Sequence, residues 1–472
     1  MTVLSAHDRV ACEDVVMFVN AAITSTGQRE FHSGAGEQRM SLAFLHEYVL
    51  GNYRELYAAT LALDLNDFNA ALIATNLLRT ARQVDADTRR HEGRLIAARL
   101  RLLPPQRVYG LFHDLRRHGV NNRRTRAIIR EWVTARPDTA FDAVKYRRSL
   151  AVTARHAHLA LPDEVGTALF AWRGRKRYDT PILESWRRAH YDRQALYDLP
   201  YTVAEGLAAT HGIDRAAFLT GIAPNLTARE RLRLQGAADR ADVSAVTVNL
   251  AGMPLTRLAL YTLSLPRSER ARRRDELTAA LRSAARRAAG RQSGRWGHTV
   301  AVLDDSYSAS GSAVKRRRPL AVALASHYLL EALAPRYTGM WLHHRGDPLL
   351  VHPIGATGLG ERLLDGLDQR PDRLVVVSDG WDNAPAGLAG EVLRVWWERL
   401  DPARRTSVVH LNPVYDTATF DVRRLAPGVA TVGVRDAEDA AALVELARFG
   451  TGRATFAELR AHLTDRVERF LS

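Results

Sequence analysis

From about residue 40 to residue 287 apolar positions recur three and four apart in segments of 12 to 18 residues, broken by turns containing Pro, Gly or Asn. That spacing lines one stripe of a helix with apolar side chains. It predicts helices over 38–50, 53–63, 68–82, 88–102, 106–117, 123–134 and 139–156, preceded by a short one over 14–22. Three more follow over 202–260. The segments share no sharp sequence period, so strict ankyrin or tetratricopeptide repeats are not expected and a degenerate α-helical HEAT-like repeat solenoid is. A charged, Ala-rich helix over 268–287 and the Gly-containing stretch 290–297 mark its end. Beyond it the pattern changes to short apolar runs at 299–303, 337–343, 373–378, 407–411 and 430–434. These alternate with helical segments at 320–334, 358–367, 388–399, 437–447 and 455–471. Such alternation predicts an α/β doubly wound domain with a mostly parallel sheet, its ligands at the carboxyl ends of the strands. The expected domains are therefore 1–295, helical, and 296–472, α/β.

Charge divides at the same place. The chain of 472 residues carries a formal net charge of +15, and residues 1–295 hold 46 Lys and Arg against 30 Asp and Glu, whereas residues 296–472 hold 21 against 22. A basic helical half attracts phosphate through counter-ion release. The competing reading is that Arg and Ala richness is compositional and the arginines only solvate helix faces. One cysteine, Cys12, excludes an internal disulfide and a cysteine-rich zinc module, which points to a reducing, cytoplasmic setting. No run approaches the roughly 18 to 20 apolar residues that cross a bilayer, and the N-terminal residues lack signal-peptide order, so no membrane partner is expected.

The candidate chemistry begins where the first strand ends. Residues 299–312, TVAVLDDSYSASGS, run from a buried strand into a loop in which Asp304, Ser306 and Ser308 are two apart. One carboxylate and two hydroxyls can converge there on a hard cation, which prefers oxygen ligands. Two later loops match it: PIGATGLGE, 353–361, with Thr357 before a helix, and LVVVSDGWDN, 374–383, with Asp379 after a strand. The set Asp304, Ser306, Ser308, Thr357 and Asp379, in this order, resembles the metal-ion-dependent adhesion site of von Willebrand factor A domains. Asp305 and Asp382 are the further carboxylates a metal-dependent hydrolase would need as a base, and are read instead as loop residues. His343, His344 and His352 cluster in sequence, and are read as edge histidines rather than a zinc site.

Basic residues are densest over 116–193. Arg123 and Arg124 follow a turn. On the helix expected over 139–156, Lys145, Arg148 and Arg155 are three and seven apart, hence on nearly one face, with Arg147 and the downstream His158 nearby. A cationic face with aromatic neighbours suits phosphate contacts and base stacking. Trp172 and Trp186 are read as core rings amid exposed arginines. The run 315–318, KRRR, is read as either a second nucleic-acid contact or a solvated turn.

A basic helical region followed by one A-like domain resembles the Ro 60 kDa autoantigen family, the TROVE-domain proteins and their bacterial relatives. The stretches that carry it are Met253-Pro254-Leu255-Thr256, the basic helix with Lys145-Tyr146 and the downstream His158-Leu159, and Gly355-Ala356-Thr357. The resemblance implies a ring of helical repeats closed by the A-like domain, and a non-enzymatic, monomeric, cytoplasmic RNA-binding protein. It implies small non-coding RNA of the Y type on the basic face, misfolded RNA ends at a central hole, and an exoribonuclease as partner in quality control or decay. Carried onto this sequence, it makes Lys145, Arg147, Arg148 and His158 RNA contacts. Ser306, Ser308 and Thr357 become direct Mg²⁺ ligands, with Asp304 and Asp379 in outer positions. The alternative is an A-domain adaptor that grips a protein partner, such as an AAA+ ATPase, through its metal.

Overall fold

The computed structural model describes residues 6–241, 243–440, 444, 446, 448–451 and 454–472. Among these the helices are α1 (Ala6–Thr24), α2 (Ala35–Asn52), α3 (Arg54–Ala59), α4 (Asp67–Arg79), α5 (Ala86–Leu102), α6 (Pro105–Arg117) and α7 (Arg123–Thr134). Next come α8 (Thr139–Lys145), α9 (Arg147–Ala157), α10 (Asp163–Phe170), α11 (Pro181–Arg188), α12 (Tyr201–Thr210), α13 (Arg215–Ile222) and α14 (Ala228–Arg240). The last are α15 (Leu255–Ser264), α16 (Arg267–Arg272), α17 (Arg274–Ala289), α18 (Arg318–Leu333), α19 (Leu359–Asp368), α20 (Leu388–Val395) and α21 (Phe456–Leu471). They pack as two compact units, one holding the chain up to Ala70 with Leu250–Ser472, the other Ala71–Asn249. The span 1–295, expected as one helical domain, is thus shared between them.

The first unit is built on five parallel strands, β1 (His298–Leu303), β2 (Arg336–Trp341), β3 (Arg373–Val377), β4 (Ser407–Asn412) and, after the short hairpin of β5 (Tyr415–Asp416) and β6 (Asp421–Val422), β7 (Ala430–Gly433). Their order is β2-β1-β3-β4-β7, all parallel. Val and Leu fill β1 and β3, and after the first residue every position is buried, because both sheet faces are covered. Val300, Val302, Leu374, Val376 and Val408 pack beneath Leu359, Leu363 and Leu367 of α19 and Ala389 and Leu393 of α20. Each buried Val or Leu among them contributes about 1.5–3 kcal/mol on burial. Helix α18 also packs on β1, and is itself packed by α15 and α17. Strand order reverses between β1 and β3, so the crevice at their carboxyl ends is the topological switch point where α/β sheets bind ligands. Of the helix expected over 437–447, Ala437–Asp439 forms a 3₁₀ turn, and 441–443, 445 and 447 lie outside the described residues.

Helix α1 belongs to this unit and packs on β6 and β7. The Met253-Pro254-Leu255-Thr256 stretch is pinned here too: the Thr256 N–H and hydroxyl donate to Glu438 (3.0 and 2.6 Å), and the Ala437 N–H donates back to the Thr256 hydroxyl (2.8 Å). No described helix is long and apolar enough to cross a membrane.

The second unit is helical. Asn122 caps α7 by accepting from the Thr125 N–H (3.0 Å), and Ile128, Ile129, Trp132 and Val133 form its buried stripe. Pro105 starts α6, whose buried Tyr109 and Phe112 set their rings against Trp132. The single helix expected over 139–156 is two. Tyr146 leaves helical geometry (φ −117°, ψ 29°) with its ring 5.5 Å from that of Tyr109, so α8 and α9 diverge between Lys145 and Arg147. Lys145 therefore does not continue the Arg148 and Arg155 face, correcting the placement of all three on one helical face. The 268–287 helix breaks likewise at Arg273 into α16 and α17.

Candidate metal centre and basic face

Three loops interlock at the carboxyl ends of β1 and β3. Asp304 follows β1, its N–H donating to the Val377 carbonyl (3.0 Å), and the Ser306 N–H donates to Asp304 Oδ1 (2.8 Å). This turn brings Ser306 Oγ to 3.2 Å from Ser308 Oγ. The second loop is laced to the first: the Tyr307 N–H donates to the Gly355 carbonyl (2.9 Å) and the Ile354 N–H to the Asp305 carbonyl (2.8 Å). Gly355 has φ +71°, and a Cβ there would meet His343 Nε2 at 2.5 Å, so only glycine fits. The second loop is laced to the third as well. The Thr357 N–H donates to Asn383 Oδ1 (2.9 Å), and its carbonyl accepts from the Asn383 and Ala384 N–H groups (3.0 and 3.1 Å). Asp379 Oδ1 accepts from the Trp381 N–H (3.1 Å) around Gly380, whose φ of +78° and 2.7 Å approach to the Arg423 carbonyl again demand glycine.

Asp304, Ser306, Ser308, Thr357 and Asp379 are all buried, none more than 9% exposed. Burial first, then the Asp379 carboxylate, raises the Asp304 carboxyl to about 7; Asp305 adds to the push, and the Ser306 hydrogen bonds oppose it. Two buried carboxylates thus face one another beside two hydroxyls, a donor set that a hard divalent cation fits by supplying the missing positive charge.

The neighbouring carboxylates do other work. Asp305 accepts from the His343 and His344 N–H groups (2.9 and 2.8 Å) and fixes the turn after β2. Asp382 accepts from the Leu359 N–H (3.2 Å) and the Ala389 N–H (2.7 Å), tying down the first turns of α19 and α20. The three histidines go separate ways: His343 to Asp305 (3.4 Å), His344 to the Asp347 carbonyl (2.8 Å), His352 to Arg267 (3.5 Å). Among the described residues no three His, Cys, Asp or Glu side chains are grouped to hold a metal.

In the second unit the turn between α6 and α7 docks on the C-terminal end of α9. Asn121 Nδ2 donates to the His156 carbonyl (3.1 Å), and His156 Nε2 lies 3.2 Å from the Val120 carbonyl. Burial, with Arg116 and His158 adding charge repulsion, holds the His156 imidazole below its usual value. Arg116, Arg117 and Arg123, flanking that turn, thereby come to the C-terminal end of α9, beside Arg155 and His158, while Arg148 lies at the other end of the same helix; all six are exposed. His158, with φ +51°, ends α9 in the left-handed conformation. The other sequence candidates are more enclosed. Arg147 donates to the Ala168 and Leu169 carbonyls (2.9 and 3.2 Å) over the Trp186 ring, Lys145 lies 4.0 Å from Glu230, and Arg124 is 3.9 Å from Glu92. Trp186 is buried and Trp172 half-buried, their rings 5.2 Å apart.

No protein-family profile and no curated protein sequence matches the chain. A solved structure does: the Deinococcus radiodurans Ro (RSR) protein, with a TM-score of 0.54 and 16% identity, over 93% of this chain and all of that one. The fold is that of a bacterial Ro protein.

The Ro fold accounts for the joint presence of a helical region and a parallel-sheet region in one chain. Within it hydrogen bonds lace together the three loops that carry the five predicted residues, and the predicted basic residues divide into an exposed set and an enclosed set. The KRRR run forms a turn before α18 in which Arg316 and Arg317 are exposed, while three of its four side chains also hold neighbouring segments. Lys315 pairs with Glu30, Arg317 donates to the Leu263 carbonyl, and Arg318 donates to the Arg435 carbonyl and to Asp436 (2.9 Å). Sequence reasoning missed His32, whose Nε2 lies 3.4 Å from Asp379 Oδ2, and Trp381, which packs on the His32 ring. A histidine in a turn 347 positions from its partner carries no local signal.

Proposed function

We propose that this chain is an RNA-binding protein of the Ro type, without enzymatic activity of its own. It binds a structured small non-coding RNA through the exposed Arg116, Arg117, Arg123, Arg148, Arg155 and His158, and handles misfolded RNA with an exoribonuclease partner. The observation that supports this reading is the docking of the α6–α7 turn on the C-terminal end of α9, which sets exposed cations from two sequence regions next to one helix in a chain with the Ro fold. Arg148 and Arg155 make no ion pair among the described residues, and Arg155 lies 4.8 Å from the exposed Phe170 ring, a cation beside an aromatic surface.

The same reading gives the three-loop site a divalent cation, Mg²⁺ being the ion its oxygen donors suit. Ser306, Ser308 and Thr357 would hold it directly, with Asp304 and Asp379 as outer ligands. Bound there, the cation supplies positive charge to the carboxylate pair. The test is recovery of the protein from its host under cross-linking, with sequencing of the attached RNA. One or a few structured small RNAs cross-linked near residues 116–123 and 148–158 support the reading. A stable protein partner such as an AAA+ ATPase, without RNA above background, overturns it in favour of the adaptor.

A further inference from the structure

The turn between α1 and α2 is held over the three-loop site. Ser312 Oγ donates to the Arg29 carbonyl (2.7 Å), the Glu30 N–H donates to the Ser33 carbonyl (3.0 Å), and buried Glu30 is paired with Lys315. The His32 ring is clamped between two aromatics that belong to the turn and to the site: Trp381, 4.7 Å away and tilted by 32°, and Phe31, edge-on at 4.8 Å. Phe31 in turn meets Tyr307, the residue between Ser306 and Ser308, at 6.0 Å. Trp381 is itself fixed by the Arg423 guanidinium, 3.8 Å from its ring centroid.

Held this way, His32 Nε2 stops 3.4 Å from Asp379 Oδ2. That is long for a hydrogen bond between imidazole and carboxylate, which closes to about 2.7–2.9 Å when charged. It is close to the roughly 3 Å that separates two adjacent ligands of one octahedral ion with bonds of about 2.1 Å. Asp379 is buried, and the nitrogen approaches it from the turn over the site.

We propose that His32 is a nitrogen ligand of the cation and that Asp379 Oδ2 beside it binds the ion directly, rather than in the outer position the resemblance implies, so that the shell is completed from within the chain. A site of carboxylate and hydroxyl oxygens alone suits Mg²⁺; adding an imidazole nitrogen shifts its preference to a transition ion such as Mn²⁺ or Zn²⁺. A ligand supplied from within the chain leaves one position fewer for an external carboxylate, which favours retention of the ion over its being offered to a partner. This inference rests on the three-loop site holding a cation at all.

The experiment uses the full chain, stripped with a chelator and titrated by calorimetry with Mg²⁺ and with Mn²⁺ separately. Electron spin-echo spectroscopy then follows the Mn²⁺-loaded protein. The expected result is tighter binding of Mn²⁺, with nitrogen modulation from one directly bound imidazole. His32→Ala and His32→Gln should each lose the modulation and weaken Mn²⁺ by about tenfold or more, with a smaller effect on Mg²⁺, while Asp304→Asn loses both ions. Mn²⁺ bound without nitrogen modulation, or with modulation that survives in His32→Ala, overturns the ligand assignment and leaves the cation site standing. Failure of the wild-type chain to bind either ion overturns the cation site and the inference together.

Discussion

Asn20 and Asp421, 401 positions apart, share a buried hydrogen bond: Asn20 Nδ2 donates to Asp421 Oδ1 at 2.9 Å. The other end of the same amide accepts from the Gly433 N–H (2.9 Å), so one side chain of α1 ties the β5–β6 hairpin to β7. Gly433 has to be small there, because a Cβ would meet the Asn20 carbonyl at 2.9 Å.

Removing that amide leaves a buried carboxylate and a buried N–H with fewer partners. Asn20→Ala should therefore destabilise the first unit by about 2–3 kcal/mol, at the upper end for an unsatisfied buried group. Urea unfolding followed by fluorescence checks this. A change under about 0.5 kcal/mol would show that α1 is not held through Asn20.

Exposed and enclosed arginines should separate in RNA binding. Arg148→Ala with Arg155→Ala is expected to weaken binding of a structured small RNA and to shallow its salt dependence, by roughly 0.7–0.9 in log–log slope for each phosphate no longer neutralised. Arg147→Ala should act on the fold, lowering stability by about 1–3 kcal/mol as the Ala168 and Leu169 carbonyls lose their donor. Filter binding at several salt concentrations and thermal melts of the same variants distinguish the two. An unchanged salt slope in the double variant rules out this face.

Cation binding should register as stability. A saturating divalent ion, at about 100 times its dissociation constant, adds about 2.7 kcal/mol. Asp304→Asn should abolish that gain while leaving RNA affinity within about twofold, since the two sites draw on different residues. Thermal melts with and without Mg²⁺ and Mn²⁺ supply the comparison, and a metal-dependent gain that persists in Asp304→Asn would place the ion elsewhere.

Acid sensitivity should have an identifiable source in His46. It is buried with Nδ1 2.7 Å from the Tyr57 hydroxyl and Nε2 3.2 Å from Asn69 Oδ1, and burial lowers it from 6.5 to about 4. Between those values the unfolded chain binds the extra proton. The stability due to neutral His46 is therefore complete above pH 6.5 and is lost as pH falls toward 4. The stability curve of His46→Gln should be flatter than that of the wild type across this window, by up to about 1.4 kcal/mol per pH unit. Parallel curves would mean that His46 titrates alike in both states.

By itself the sequence determined elements whose periods are local. Strands expected at 299–303 and 373–378 form as His298–Leu303 and Arg373–Val377, and in the helical unit the helix over 123–134 forms as Arg123–Thr134. It also placed the three loops, because in a parallel sheet the residues that end adjacent strands must meet at one edge. Tertiary structure decided the rest. That α1 packs on β6 and β7, that Tyr146 breaks a helix against Tyr109, that Lys315 is spent on Glu30 and that His32 comes to Asp379 all depend on contacts between distant segments. A periodicity records which face of a segment is buried, and carries no record of what buries it.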